Sequence, residues 1–100
     1  IPRVPSEIVL DKVVSKEGKD VTKYFQAGAQ KTVEIAKQNN INIAILQARS
    51  PSCGSSQIYD GTFSGTLQDG QGVTTRLLEQ NGIKVITIDE YIRDYYENDR

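Results

Sequence analysis

The chain has 100 residues, 12 Lys and Arg against 13 Asp and Glu, a net charge of -1, one cysteine and no histidine. That balance argues against a general nucleic-acid binder, which needs a basic face, and no apolar run is long enough to cross a bilayer or to serve as a signal peptide. A lone cysteine cannot close an internal disulfide, which fits a reducing cytoplasm, and the absence of imidazole excludes a Ser-His pair within the chain.

The N-terminal stretch Ile1-Pro2-Arg3-Val4-Pro5-Ser6-Glu7-Ile8 reads as extended loop, because Pro2 and Pro5 fix φ at two positions. Arg3 and Glu7 either anchor that loop, line a site or stand as solvated charges. Lys12-Val13-Val14-Ser15 predicts a short strand, closed by the turn signal Glu17-Gly18-Lys19. Asp20 is placed to cap the helix that follows. In that helix Val21, Phe25, Ala29, Val33 and Ala36 recur every four or three residues and share one face. Gly28 beside that face suggests close packing on a sheet, and Asn39-Asn40 supplies the helix stop.

Ile43-Ala44-Ile45-Leu46 is the pattern of a strand covered on both faces. From Ser50 to Val73 periodicity fades, and Gly54, Gly61, Gly65, Gly70 and Gly72 fall there. A stretch of that length predicts a folded, functional loop with some short pairing, and Asp60-Gly61 and Asp69-Gly70 are hairpin-type signals. Val73, Leu77 and Leu78 mark a short helix ended by Gly82, and residues 83–88 a further strand. Asp89 is placed to cap a last helix with Tyr91, Ile92, Tyr95 and Tyr96 on its apolar side. The order predicts a single α/β domain over 1–100 with a mainly parallel, Rossmann-like sheet flanked by helices. Two good strands and one weak one make a thin sheet, so an N-terminal strand from outside these residues, or a second copy of the chain, is expected beside it.

The chain is organised around Arg49-Ser50-Pro51-Ser52-Cys53-Gly54, directly after its most apolar run. Ser50-Pro51 turns the chain out of the strand, and Gly54 permits a sharp turn that another group can approach closely. The thiol is thereby expected at the carboxyl end of a strand, where open α/β folds bind ligands. From the residues alone, Cys53 reads as a buried core residue, as a thiolate activated by Arg49 and nearby N–H groups, or as a metal or cluster ligand. Ser50, Ser52, Ser55 and Ser56 could donate to a substrate or satisfy their own turn. Asp60 could act as an acid or orient a ligand, or simply make turn chemistry before Gly61. Tyr59 and Phe63 could wall a planar ligand or pack in the core.

Arg-Ser-Pro-Ser-Cys-Gly at 49–54, Ile-Tyr-Asp-Gly-Thr-Phe at 58–63, Gly-Gln-Gly-Val-Thr at 70–74, Asp-Val-Thr at 20–22 and Pro-Arg-Val-Pro-Ser-Glu at 2–7 resemble a bacterial family of domains of unknown function. The 2-thiouracil desulfidases, the TudS-like proteins, belong to it, and the chain resembles the C-terminal two-thirds of its members. The resemblance implies a [4Fe-4S] cluster held by three cysteines, with one iron free to take the sulfur of a thiolated pyrimidine. Cys53 matches the third ligand, and the first two lie in family segments upstream of Pro2. Ser50 matches a serine proposed to assist catalysis; Ser52, Gly54, Asp60 and Arg49 would bind substrate or support the site.

Three functions follow. The first is sulfur removal from a thiolated pyrimidine, or the cluster-bearing module of such an enzyme. The second is a non-catalytic module that binds a nucleobase or an anion in its Ser/Gly loop, and the third a cluster-free relative that keeps the fold for interaction. Neither a nucleic-acid nor a membrane partner is expected.

Overall fold

In the computed structural model, residues 5–47, 51, 54 and 57–96 are described. The chain folds as a small mixed α/β structure in the order β1 (Ser6–Val9), β2 (Lys12–Ser15), α1 (Thr22–Gln38), β3 (Ile43–Ile45), β4 (Gln57–Tyr59), β5 (Leu67–Asp69), α2 (Val73–Gln80), β6 (Lys84–Ile86) and α3 (Ile88–Tyr91), which runs into a π-helical turn at Ile92–Tyr96. The strands form three two-stranded sheets among the described residues: β1–β2 and β4–β5 antiparallel, β3–β6 parallel. The expected mainly parallel sheet is thus corrected to one parallel pair and two hairpins. Helix-to-strand order predicts the β3–β6 pair well, because α2 provides the crossover that a parallel pair needs.

The first correction lies at the N-terminus, where a strand replaces the expected loop. β1 pairs with β2 so that Ile8 faces Val13, and both are buried. Leu10, at φ 58° and almost fully exposed, takes the left-handed position of the connecting turn. Asparagine or glycine normally fills such a position, so the turn leaves no ordinary signature.

Helix α1 follows its predicted face: Ala29, Val33 and Ala36 are buried, with Val21 and Phe25 partly so. Its N-cap is Val21 rather than Asp20; the Asp20 carboxylate instead accepts the Thr22 N–H at 2.9 Å, just outside the helix. Gly28 meets nothing within 4 Å, so it makes no close approach to a sheet. Both long helices end in the same way. Asn40 (φ 54°) and Gly82 (φ 78°) are left-handed, and the next residue donates back: Ile41 N–H to the Ala36 carbonyl at 2.9 Å, Ile83 N–H to the Leu78 carbonyl at 3.0 Å. This paired-bond helix ending satisfies the last carbonyls and aims the chain straight into the next strand.

Two apolar clusters result. Val33, Ala36, Leu78, Ile83 and Val85 form one, with Ala44, Leu46 and Leu77 packed on it; Ile8, Val13 and Ile58 form the other, with Val21, Phe25 and Val73. Helix α1 serves both, its first turns the second cluster and its last turns the first. Strand β3 is covered on one face only, since Ile43 and Ile45 are 41% and 43% exposed. The expectation of burial on both faces fails there. The final helix starts from Thr87, not Asp89: the Thr87 hydroxyl accepts the Glu90 N–H at 3.1 Å and the Glu90 carboxylate accepts the Thr87 N–H at 3.0 Å. Tyr91, Ile92, Tyr95 and Tyr96, its predicted apolar side, are all exposed, as is Ile88, which the sequence pattern places in the preceding strand and which instead begins this helix.

Candidate functional site

The loop after β3 returns to the body of the fold at the start of α2. Pro51 and Gly54 direct their carbonyls to that helix end: the Val73 N–H donates to Pro51 O and the Gly72 N–H to Gly54 O, both at 2.8 Å. A helix start leaves its first N–H groups without intrahelical partners, and these two loop carbonyls satisfy two of them. Gly54 is buried at this junction. Arg49, Ser50, Ser52 and Cys53, the other predicted site residues of the loop, lie outside the described residues, as do Arg3, Ser55 and Ser56. The tether to Gly72 and Val73 had no signal in the sequence beyond the Gly-Gln-Gly run at 70–72.

Immediately beyond, β4 and β5 form the hairpin that the glycine-rich stretch suggested. Its connecting loop begins with Asp60-Gly61. The Asp60 carboxylate accepts from the Thr62 hydroxyl at 2.6 Å and from the Thr62 N–H at 3.0 Å. These bonds, the hydroxyl first, hold its pKa below the ordinary carboxylate value. The Thr62 hydroxyl also meets Ser64 Oγ at 2.6 Å, which meets Thr66 Oγ1 at 2.8 Å. Each hydroxyl has one proton, and that of Thr62 goes to the carboxylate. Ser64 therefore donates to Thr62 and Thr66 to Ser64, a chain that runs one way onto Asp60. The Asp60 carboxylate bonds are all local to its turn.

Glu7 closes the same loop from β1. One of its oxygens, Oε1, accepts the Gly61 N–H at 2.9 Å and the Phe63 N–H at 3.1 Å. Of the three readings of Glu7, anchor, site lining or solvated charge, the geometry is that of an anchor, although the loop it holds is the Asp60–Phe63 turn and not its own N-terminal segment. Gly61 is left-handed at φ 93°, and a Cβ there would stand 2.9 Å from the Ile8 carbonyl and 2.7 Å from Val9 Cγ2. Phe63 is left-handed as well, at φ 58°. Tyr59 and Phe63 are half-buried, and neither joins the two apolar clusters.

A cleft of about 380 Å3 opens between the β1–β2 hairpin, α1 and α2. Val13, Ala29, Val73 and Leu77 line it together with the polar Gln30 and Arg76. Among the described residues no three His, Cys, Asp or Glu side chains converge as metal ligands would. No described helix is long and apolar enough to cross a membrane.

The 2-thiouracil desulfurase family model matches residues 1–90, nearly the whole of this fold. The chain belongs to that family. It is 44% identical over 99 residues to YbbK, an uncharacterised protein of Bacillus subtilis (strain 168), a match covering 89% of this chain and 66% of that protein. A solved structure of TudS, described as a [4Fe-4S]-dependent thiouracil desulfidase, superposes with a TM-score of 0.89 at 38% identity. The match covers 98% of this chain and 65% of TudS. The chain thus spans about two-thirds of the length of each of these relatives.

Proposed function

We propose that this chain is a TudS-like module that takes part in removing sulfur from a thiolated pyrimidine, with Cys53 as one ligand of a [4Fe-4S] cluster. The observation that carries the reading is the tether of Pro51 and Gly54, on either side of Cys53 in the chain, to the start of α2, within a fold that superposes on a cluster-dependent thiouracil desulfidase. The same reading takes β3–β6 as the centre of a Rossmann-like sheet, with Cys53 following the carboxyl end of β3.

The residues present do not fit the whole cluster. A cubane needs several protein ligands, and this chain has one cysteine and no histidine. The 100 residues supply a single thiolate position; further ligands would come from outside them. When bound, such a cluster supplies a Lewis-acidic iron that accepts sulfur. The part assigned to this chain is binding and orientation. Ser50 hydrogen-bonds the pyrimidine and provides a proton, Arg49 favours the Cys53 thiolate by charge, Ser52 and Asp60 support the turn, and Gly54 lets the ligand approach the backbone. Replacement of C=S by C=O from water releases one molecule of hydrogen sulfide per base and needs no net electron transfer.

Iron and acid-labile sulfide content after anaerobic reconstitution of the native protein tests the reading. Cys53→Ala should lose most of both, whereas Ser50→Ala should keep both and lose turnover of 2-thiouracil. Equal iron in wild type and Cys53→Ala removes Cys53 from the ligand set, and unchanged turnover leaves Ser50 as a turn residue.

The cleft favours a second reading, a non-catalytic module that binds a nucleobase or an anion. Its apolar lining could take a planar ring while the Gln30 amide and the Arg76 guanidinium bind polar edges. Under that reading uracil would shift the NMR signals of Gln30 and Arg76 and leave those of Gly54 unmoved.

A further inference from the structure

Helices α1 and α2 each turn one face to the cleft beside the β1–β2 hairpin. On α1 that face is Gln26, Ala29 and Gln30; on α2 it is Val73, Arg76, Leu77 and Gln80. Helices that simply pack together present apolar side chains along such stripes. Here each stripe is mixed. Ala29 is buried, as is Val13 of β2, and Val73 and Leu77 are half-buried, so these four make an apolar floor. Gln26, Gln30, Arg76 and Gln80 are exposed and make a polar rim on both sides of it.

The rim carries a cation that the described residues leave unpaired. Glu79, the acidic residue of α2, accepts from the Gln71 side-chain amide, and Arg76 makes no ion pair with any described residue. Asp11, at the β1–β2 turn, is the one carboxylate in the lining among the described residues, and it makes no ion pair either. The α2 wall is therefore positive and the hairpin wall negative, so an anionic group is favoured at α2. The amides of Gln26, Gln30 and Gln80 both donate and accept, as the edge of a nucleobase requires. At about 380 Å3 the cleft has the volume of a site for a drug-sized ligand, more than a free pyrimidine fills.

We propose that the cleft between the β1–β2 hairpin, α1 and α2 binds a nucleoside monophosphate, its base on the apolar floor with an edge toward the glutamine amides and its phosphate on Arg76. The ligand class extends the binding-module reading of the cleft, on which it rests, and it holds whether or not the Cys53 loop removes sulfur. A guanidinium meets a phosphate with two parallel N–H donors, and such charge-assisted bonds are roughly twice as strong as neutral ones. Neither half of the ligand suffices by itself. Phosphate alone leaves the apolar floor wet, and a nucleoside alone leaves Arg76 unpaired.

The experiment is calorimetric titration of the native protein with uridine 5′-monophosphate, uridine and inorganic phosphate, for wild type, Arg76→Gln and Arg93→Gln. Methyl NMR of Ala29, Val73 and Leu77 places the ligand. Wild type should bind the nucleotide about tenfold or more tighter than uridine or phosphate, and the nucleotide should shift all three methyl signals. Arg76 is an exposed helix position where glutamine is an equally good helix former, so Arg76→Gln folds. That variant should lose about tenfold for the nucleotide and stay within about twofold of wild type for uridine. Arg93 pairs with Asp94 outside the cleft, and Arg93→Gln should stay within about twofold of wild type for the nucleotide. Uridine or phosphate bound as tightly as the nucleotide overturns the nucleotide class and leaves the binding-module reading standing. Binding of none of the three overturns both. Nucleotide binding that leaves the Ala29, Val73 and Leu77 methyls unmoved overturns the site. An Arg76→Gln protein no weaker than wild type, or no weaker than Arg93→Gln, overturns the phosphate contact and the proposal with it.

Discussion

Two glycine-to-alanine substitutions in this chain should change stability in opposite directions. At Gly61 the backbone is left-handed at φ 93°, which costs an L-residue about 1–2 kcal/mol. The new methyl would also stand 2.7 Å from Val9 Cγ2 and 2.9 Å from the Ile8 carbonyl. Val9 is 38% exposed and its side chain can swing aside, but the Ile8 carbonyl belongs to a strand backbone and cannot move without disturbing β1. Overpacking of that kind costs about 1–3 kcal/mol, so Gly61→Ala should destabilise by about 2–5 kcal/mol in all. Gly28 lies in the middle of α1 with nothing within 4 Å, so alanine there meets no obstacle and gains its helix propensity, about 0.8–1.0 kcal/mol. Urea unfolding followed by far-UV circular dichroism, at one fixed protein concentration, measures both against wild type. A Gly61→Ala protein within about 1 kcal/mol of wild type would refute the close approach of the loop to β1. A destabilised Gly28→Ala protein would refute the open face of α1.

Leu78 is fully buried between α1, α2 and β6, and Leu78→Ala should cost about 3–5 kcal/mol in the same unfolding assay; a loss below about 1 kcal/mol would displace it from the core. The folded pKa of Asp60 is lowered by its bonds from Thr62, so its contribution is present above the unfolded value and is lost as pH falls through the folded one. Asp60→Asn keeps the acceptor but cannot titrate, and between about pH 5 and pH 2 its stability should fall less than that of wild type; parallel pH curves would refute the bonds. Ile43 and Ile45 are exposed on a strand with one neighbour among the described residues, so the 100-residue chain should associate in sedimentation runs, and a monomer at every concentration tested would refute that expectation.

The parts of the fold legible in the sequence are those whose physics is local. The spacing of Val21, Phe25, Ala29, Val33 and Ala36 marks α1, and Asn40 and Gly82 mark helix ends because each has the left-handed backbone that such an end needs. Asp60-Gly61 is legible as a turn for the same reason, since the Asp60 carboxylate bonds only two residues ahead. The Thr87-Ile88-Asp89-Glu90 box was also legible in principle, and the adjacent Asp89 obscured it. The long-range features were not. β1 hides behind Leu10, which adopts a conformation its side chain does not advertise. The Glu7 clamp joins positions 54 and 56 residues apart, and nothing in either segment alone names the other. The exposed face of β3 contradicts its own composition, because four consecutive apolar residues say that a strand wants cover without saying what covers it. At the candidate site, the composition around Cys53 singled out the 49–54 loop, whereas the tether of Pro51 and Gly54 to the first N–H groups of α2 depends on tertiary folding.

The central claim is that this chain belongs to a site that removes sulfur from a thiolated pyrimidine and that Cys53 is essential there. The most direct measurement is anaerobic incubation of the reconstituted native protein with 2-thiouracil, with uracil and sulfide quantified for wild type and for Cys53→Ala. The account predicts uracil and sulfide in equal amounts from wild type and neither above background from Cys53→Ala. Thiouracil recovered intact from the wild-type reaction, or equal conversion by the variant, would contradict it.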